Sequence, residues 1–398
     1  MNGWRACRSS SVPWRRLVGA CAVWAFLSVA EAAEAAQAPV AVAKISTAST
    51  CAGCRVVVRE IGMIGDGTFD TDLGNSRVMR LPSGQFLVGG RKGVLGVFDS
   101  TLRFRRQLGR GGAGPGEFRS PTLAFPKDRD SLAIFDWVLR RLTIYGSELG
   151  APARSLILPE FRDALFLKNG ELLLSGFIAT PSAAGFPLHV VTSSGTINRS
   201  FGTSAPQVSR NSERILGKSI VRAPTGDILV GSPFRYEIEL WSEGLQLTRT
   251  FRRDVSWFPP TAETYRLSYP GRERPSTELI GLGVDDQRGT VYATFLTAAS
   301  AWRVDPKLKG TTGEVRWPAD PNEAVGIYLN RYFDTMVDVL DPVTMTVLAT
   351  TRLSGFHIPI SKSPFYFTLR ETADGTLALR VVRLDVVDRN GAALALRK

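Results

Sequence analysis

Residues 105–145 read RRQLGRGGAGPGEFRSPTLAFPKDRDSLAIFDWVLRRLTIY. This stretch holds the end of an outer strand at Arg106-Gln107-Leu108-Gly109, a glycine-rich turn and three further short strands. A four-strand unit of about forty residues that recurs along a chain is one blade of a β-propeller. Weaker copies do recur. The reading is therefore all-β: a six-bladed β-propeller of four-stranded antiparallel blades. Such a scaffold hosts many unrelated functions, so the repeat specifies architecture and leaves the chemistry open.

The turn joining the first two strands of each blade is traced through Ser83-Gly84, Arg129-Asp130, Asn169-Gly170, Thr225-Gly226, Arg288-Gly289 and the stretch from Ser361 to Pro364. Each precedes an apolar run: Phe86-Leu87-Val88, Leu132-Ala133-Ile134, Leu172-Leu173-Leu174, Ile228-Leu229-Val230, Val291-Tyr292-Ala293 and Phe365-Tyr366-Phe367. Continuous apolar character fits strands buried on both faces between adjacent blades. No amphipathic helix is expected anywhere. Val56–Gly62 has the character of a fourth strand yet precedes blade one, whereas the last blade runs out after a third strand near Leu379–Val387. Pairing the two closes the ring and covers an exposed edge. The expected layout is a signal segment at 1–38, a flexible leader at 39–50, the propeller at 51–390 and a C-terminal tail at 391–398.

The first 38 residues differ in kind. Arg5, Arg8, Arg15 and Arg16 precede an apolar run from Leu17 to Ala30, followed by small-residue sites at Ala30-Glu31-Ala32 and Ala36-Gln37-Ala38. This reads as a secretory signal cleaved near Ala32 to Ala38, which places the mature protein in the periplasm or outside the cell. No later run reaches the roughly eighteen apolar residues of a membrane span. Val18-Gly19-Ala20-Cys21 resembles a lipoprotein box, but Cys21 stands near the start of the apolar run instead of after it, which argues against a lipid anchor.

The formal charge of +12 falls to +10 without this segment, which carries four Arg and two Glu. Of the 49 basic residues 40 are Arg, spread over every blade with no block of like charge, so composition alone does not define an anionic surface partner. Export argues further against nucleic acid. Cys51 and Cys54 are the two cysteines left after the signal, and in an exported protein this CxxC reads as a local disulfide. A redox site would place the first cysteine at a helix start, haem attachment would need His at position 55, which is Arg, and zinc would need further ligands.

GRGGAGPGEFRSPTLAF followed by IFDWVLRRLTIY resembles the NHL repeat. The matching residues are Gly109, Gly114, Pro115, Gly116, Glu117, Phe118 and Pro121, then Asp136, Trp137, Arg141 and Tyr145. The likeness is specific in blade two and rests on periodicity elsewhere. With the signal segment, the early CxxC and a late Arg331–Thr335 segment, the layout looks like a group of exported bacterial six-bladed propellers of undefined function. The resemblance implies fold and location, not a reaction. Physically, the glycines permit positive φ where the chain crosses from rim to axis, Pro115 fixes φ there, Phe118 wedges between blades, and Asp136 and Arg141 pair with each other or bond loop backbone.

In an antiparallel blade the connection into strand one and the connection between strands two and three lie on the same side. Insertions at 176–187, 203–214, 254–275 and 296–332 therefore gather there with GPGEF, and long loops on a rigid scaffold are where binding resides. Two of them carry aromatic and basic residues: Trp257, Phe258, Tyr265, Tyr269 and Arg272 in one, Trp302, Arg303, Trp317 and Tyr328 in the other. Such groups stack on sugars, peptides or aromatic small molecules. The candidate ligand-binding set is Trp257, Tyr265, Arg272, Trp302, Trp317 and Tyr328, with mutual packing as the competing explanation.

Catalytic constellations are thin. His189 lies in a strand-like run and His357 opens the last blade, so neither stands out as a base. No Asp-rich calcium loop occurs. No cofactor and no metal is expected, except that Glu278, Asp285, Asn330 and Asp334 are candidate calcium ligands under an alternative reading as an axial-metal hydrolase or lactonase. A structural role in an envelope assembly is a third reading. The leading one is non-catalytic binding of a small molecule, glycan or protein on the long-loop side.

Overall fold

The computed structural model describes residues 41–394 apart from 47–48, 66, 72–76, 128–130, 147, 203–216, 260–270, 307–324 and 361. The signal segment with Cys21, and the loop residues Tyr265, Tyr269 and Trp317, lie outside the described residues.

Six four-stranded antiparallel units form the ring. In chain order, β1 (Val42–Lys44) and β2 (Arg55–Ile64) precede blade one, made of β3 (Val78–Arg80), β4 (Phe86–Gly89), β5 (Leu95–Phe98) and β6 (Phe104–Leu108). The short pair β7 (Arg110–Gly111) and β8 (Glu117–Phe118) frames the GPGEF turn. Blade two is β9 (Pro121–Pro126), β10 (Ser131–Asp136), β11 (Arg141–Gly146) and β12 (Pro152–Ile157). Blade three is β13 (Asp163–Phe166), β14 (Leu172–Ser175), β15 (Leu188–Val191) and β16 (Ile197–Phe201). Blade four is β17 (Ser219–Arg222), β18 (Ile228–Gly231), β19 (Glu237–Trp241) and β20 (Leu247–Arg252). Blade five is β21 (Glu278–Asp285), β22 (Thr290–Ala298), β23 (Phe333–Leu340) and β24 (Val347–Ser354). Blade six is β25 (Ile358–Ile360), β26 (Phe365–Glu371) and β27 (Leu377–Val387), completed by β2.

The closure is a long one. β2 runs antiparallel to β27 from Arg55 opposite Val387 to Ile64 opposite Leu379, with one irregularity between Glu60 and Gly62. Between each pair of neighbouring blades lies one apolar cluster. Met79, Leu87 and Val97 of blade one meet Leu132, Ile134 and Tyr145 of blade two, and Val78, Phe86 and Val88 of blade one meet Phe365 and Val381 of blade six. Four further clusters fill the remaining joints. Burial of a Leu, Val, Ile or Phe side chain contributes about 1.5–3 kcal/mol, so the second strands, flanked on both faces, hold the ring together.

Two expectations are corrected. The segment read as a flexible leader contains β1, which pairs in parallel with the outer strand β20, Val42 opposite Thr250. Ile45 then enters the core between blades four and five at 3% exposure, and the Thr50 amide donates to Val347 O at 2.9 Å on the rim of blade five. The chain thus contacts blades four and five before entering β2 in blade six. A strand of three residues whose partner is parallel and far away leaves no alternation to read.

The second correction is a helix, α1 (Val325–Tyr332), within the long insertion of blade five. It buries Tyr328, Leu329 and Tyr332 against Trp302, Phe333 and Phe356. Eight residues give little intrinsic helical stability, so tertiary packing holds this helix.

Cys51 and Cys54 form a disulfide that packs on the cluster between blades five and six together with Leu394. Part of the segment read as a tail therefore folds back, with the Leu394 amide donating to Val386 O at 2.9 Å. Among the described residues, no helix is long and apolar enough to cross a membrane.

Candidate functional site

The GPGEF turn builds a backbone scaffold. Gly109 and Gly116 both have φ of +72° and Gly112 has φ of +154°, conformations that favour glycine, and a Cβ on Gly111 would fall 2.3 Å from the backbone oxygen of Lys92. Glu117 accepts from the Gly114 amide at 2.7 Å and from Arg110 Nε at 2.7 Å. Phe118 is fully buried between blades one and two, whereas Pro115 is exposed. Asp136 accepts from the amides of Arg119 (2.6 Å), Ser120 (2.9 Å) and Leu139 (2.9 Å). Arg141 donates to Ala113 O at 2.6 Å and to Glu117 O. Asp136 and Arg141 thus pin the crossing between blades by bonding loop backbone.

On the same side, the insertions of blades four and five meet. The Asp305 amide donates to Gly271 O at 2.6 Å, and Tyr332 Oη donates to Asp305 Oδ2 at 3.0 Å, which anchors the end of α1. Burial and the bond to Asp305 push the Tyr332 phenol well above its ordinary pKa. Trp302 and Tyr328 share one aromatic cluster, in which Tyr328 is 1% exposed and Trp302 half-buried. Trp257 belongs to a different one, edge-on to Phe295 at 5.2 Å and 6.0 Å from Tyr236. Arg272 forms an ion pair with Glu273 at 3.6 Å. Among the described members of the candidate set, Trp257, Arg272 and Trp302 are half-buried, while Tyr328 serves the core.

At the axis the first strands and the hairpin of blade six carry a charged network that the sequence does not reveal. Lys362, from blade six, donates to Ala164 O at 2.6 Å and pairs with Asp163 Oδ1 at 2.8 Å, both on blade three across the ring. Asp163 Oδ2 accepts the Ile220 amide of blade four at 2.8 Å, and the Leu282 amide of blade five donates to Ser219 Oγ at 2.9 Å. Arg162 bridges blades three and five by pairing with Glu278 at 3.2 Å. Four blades are thereby tied across the centre.

The groups suited to acid–base or metal chemistry have structural partners. His189 contacts Ser200 Oγ at 2.9 Å and Gly176 O at 3.0 Å and is fully buried. Burial pushes the His357 imidazole down to about 4. Asp334 accepts from Arg352 Nε at 2.7 Å and the Ser300 amide at 2.9 Å; burial lifts its carboxyl, but these bonds outweigh that and hold it below the ordinary range. Asp285 pairs with Arg383 at 2.8 Å and Arg288 at 3.4 Å. Asn330 donates to Leu369 O at 2.8 Å and accepts from the Phe356 amide at 2.8 Å. Of the four candidate calcium ligands, Glu278, Asp285 and Asn330 bond across blade boundaries and Asp334 bonds within blade five. Among the described residues, no group of three or more His, Cys, Asp or Glu converges.

Fold and site together define a six-bladed propeller with an axis tied by a charged network and one loop-rich side. No family model matches the chain and no curated protein does. Solved structures do. A candidate exported protein from Bacteroides fragilis covers 86% of this chain and 98% of its own at 12% identity and a TM-score of 0.53. A member of the DUF4221 family from Bacteroides vulgatus covers 84% and 99% at 10% identity and a TM-score of 0.55. A virginiamycin B lyase from Staphylococcus aureus aligns over 82% and 99% at 8% identity, but its TM-score of 0.40 carries no argument. The likeness is one of fold.

Proposed function

We propose that this is an exported, non-catalytic, NHL-like propeller that binds a small molecule, a glycan or a partner protein through its long-loop side. The observation that carries the reading is the junction of two insertions through Gly271 and Asp305, which presents half-buried Trp257, Trp302 and Arg272 on a rigid ring. Long loops held by a stiff scaffold are the usual seat of recognition. The histidines and the candidate metal ligands already have partners, within a blade for His189 and Asp334 and between blades for Glu278, Asp285 and Asn330, which favours binding over hydrolysis. Export is supported by the composition of residues 1–38 and by a disulfide in the folded chain.

The test is a glycan and metabolite array probed with the mature chain and with Trp257→Ala, Trp302→Ala and Trp317→Ala. Loss of a specific signal in these variants, with melting temperature retained, supports the site. An unchanged signal in all three places recognition elsewhere.

A further inference from the structure

On the loop-rich side of blades one and two, three tight segments meet. The hairpin of blade one turns through Arg91–Gly93, and a Cβ on Gly93 would fall 2.1 Å from Phe118 O and 3.1 Å from Arg119 Cα. The hairpin of blade two turns through residues 137–140, where the Trp137 amide donates to Ser120 O at 3.0 Å. Lys92, Arg119, Trp137 and Val138 therefore share one continuous surface, carried on backbone that Asp136 pins through the Arg119 and Ser120 amides.

The tip of the second hairpin is apolar and open: Trp137 is 43% and Val138 56% exposed. Among the described residues the Trp137 indole has neither a ring contact nor a partner for its N–H, and the Lys92 and Arg119 side chains, both exposed, have no ion pair. The cations further out are matched, Arg91 by Asp70 at 3.5 Å, Arg110 by Glu117 at 2.7 Å and Arg140 by Glu160 at 3.8 Å. Underneath, Asp136 and Arg141 stand opposite each other in the sheet, buried and engaged by backbone, so their charges offset. The uncompensated charge of this face is thus that of Lys92 and Arg119, beside an exposed tryptophan. A protruding turn has no walls to enclose a small molecule, and it fits a deformable surface instead. An indole with an apolar body and a polar N–H settles at a lipid–water boundary, and long basic side chains there reach anionic headgroups.

We propose that this face docks the protein on an anionic lipid surface, with Trp137 and Val138 entering the headgroup layer and Lys92 and Arg119 supplying the attraction. The face shares no residue with the candidate set on blades four and five and is independent of the function proposed above. Flotation of the mature protein with vesicles of phosphatidylglycerol and phosphatidylcholine, against phosphatidylcholine alone, tests it. Binding is expected only with the anionic lipid and weakens at raised ionic strength. It is expected to fall about fivefold in each of Lys92→Gln and Arg119→Gln and roughly tenfold in Trp137→Ala. A blue shift of tryptophan emission on adding anionic vesicles is expected in the wild type and lost in Trp137→Phe. Trp257→Ala is expected to bind vesicles as the wild type does. The altered side chains on this face are exposed, so these variants keep the fold. Absence of binding to anionic vesicles, equal binding to both vesicle types, or undiminished binding of Trp137→Ala overturns the proposal. An acidic protein cross-linked at position 137 in the absence of vesicle binding would likewise overturn it and reassign the face to a protein partner.

Discussion

Asp338 shows how single residues hold this ring. It is fully buried and accepts from Tyr236 Oη at 2.6 Å, Thr350 Oγ1 at 2.6 Å and the Arg253 guanidinium, which joins blade four to blade five. Removing one partner leaves a buried charge unmatched, so Asp338→Ala is expected to lose about 3–5 kcal/mol in equilibrium urea unfolding. His357 predicts a pH dependence. Its folded pKa of about 4 lies below the ordinary 6.5, so the unfolded chain takes up the proton first and stability falls as pH drops below about 6.5. From that shift the loss reaches about 2 kcal/mol by pH 5. Urea midpoints measured from pH 7 to 5 should fall less steeply in His357→Gln than in the wild type. The role of Asp338 was not legible in sequence, because its partners Tyr236 and Arg253 stand 102 and 85 positions away; Lys362 and Ala164, which meet at the axis, are 198 positions apart.

At the scale of elements, strand rhythm was largely legible. The six apolar second strands each follow a turn signal, the closing strand carries a β-branched run, and each occupies the expected place. The strap β1 and helix α1 were not legible, since both are short and held by tertiary contact. The disulfide closes a loop of sequence separation three, for which chain entropy gives at most about 2 kcal/mol. Cys51→Ser/Cys54→Ser is thus expected to lower the melting temperature by only about 2–3 °C in a chain this long. A loss of folding would mean that the bridge organises the strap, not merely the loop.

For the whole molecule, closure is the decisive feature. A chain beginning after Ile64 would lack β1 and β2 and expose the outer edge of the eleven-residue β27. Such an edge pairs with other chains, so gel filtration should show aggregation and calorimetry a broadened transition. The competing hydrolase reading is tested by metal analysis of the purified mature protein. Under the binding reading no stoichiometric calcium is found and chelation leaves the melting temperature unchanged. Calcium that chelator removes, with loss of ester hydrolysis, would favour the enzyme.

Blade count, strand order and the borrowed closing strand were written in the chain itself, because a repeated pattern of apolar runs and turn residues is a local signal that survives without knowledge of its partners. Which aromatics remain accessible, which carboxylates are consumed in joints, and how Lys362 crosses to Asp163 were decided only when the ring closed. Burial and ion pairing depend on what arrives from another blade, and that distance is invisible along the sequence.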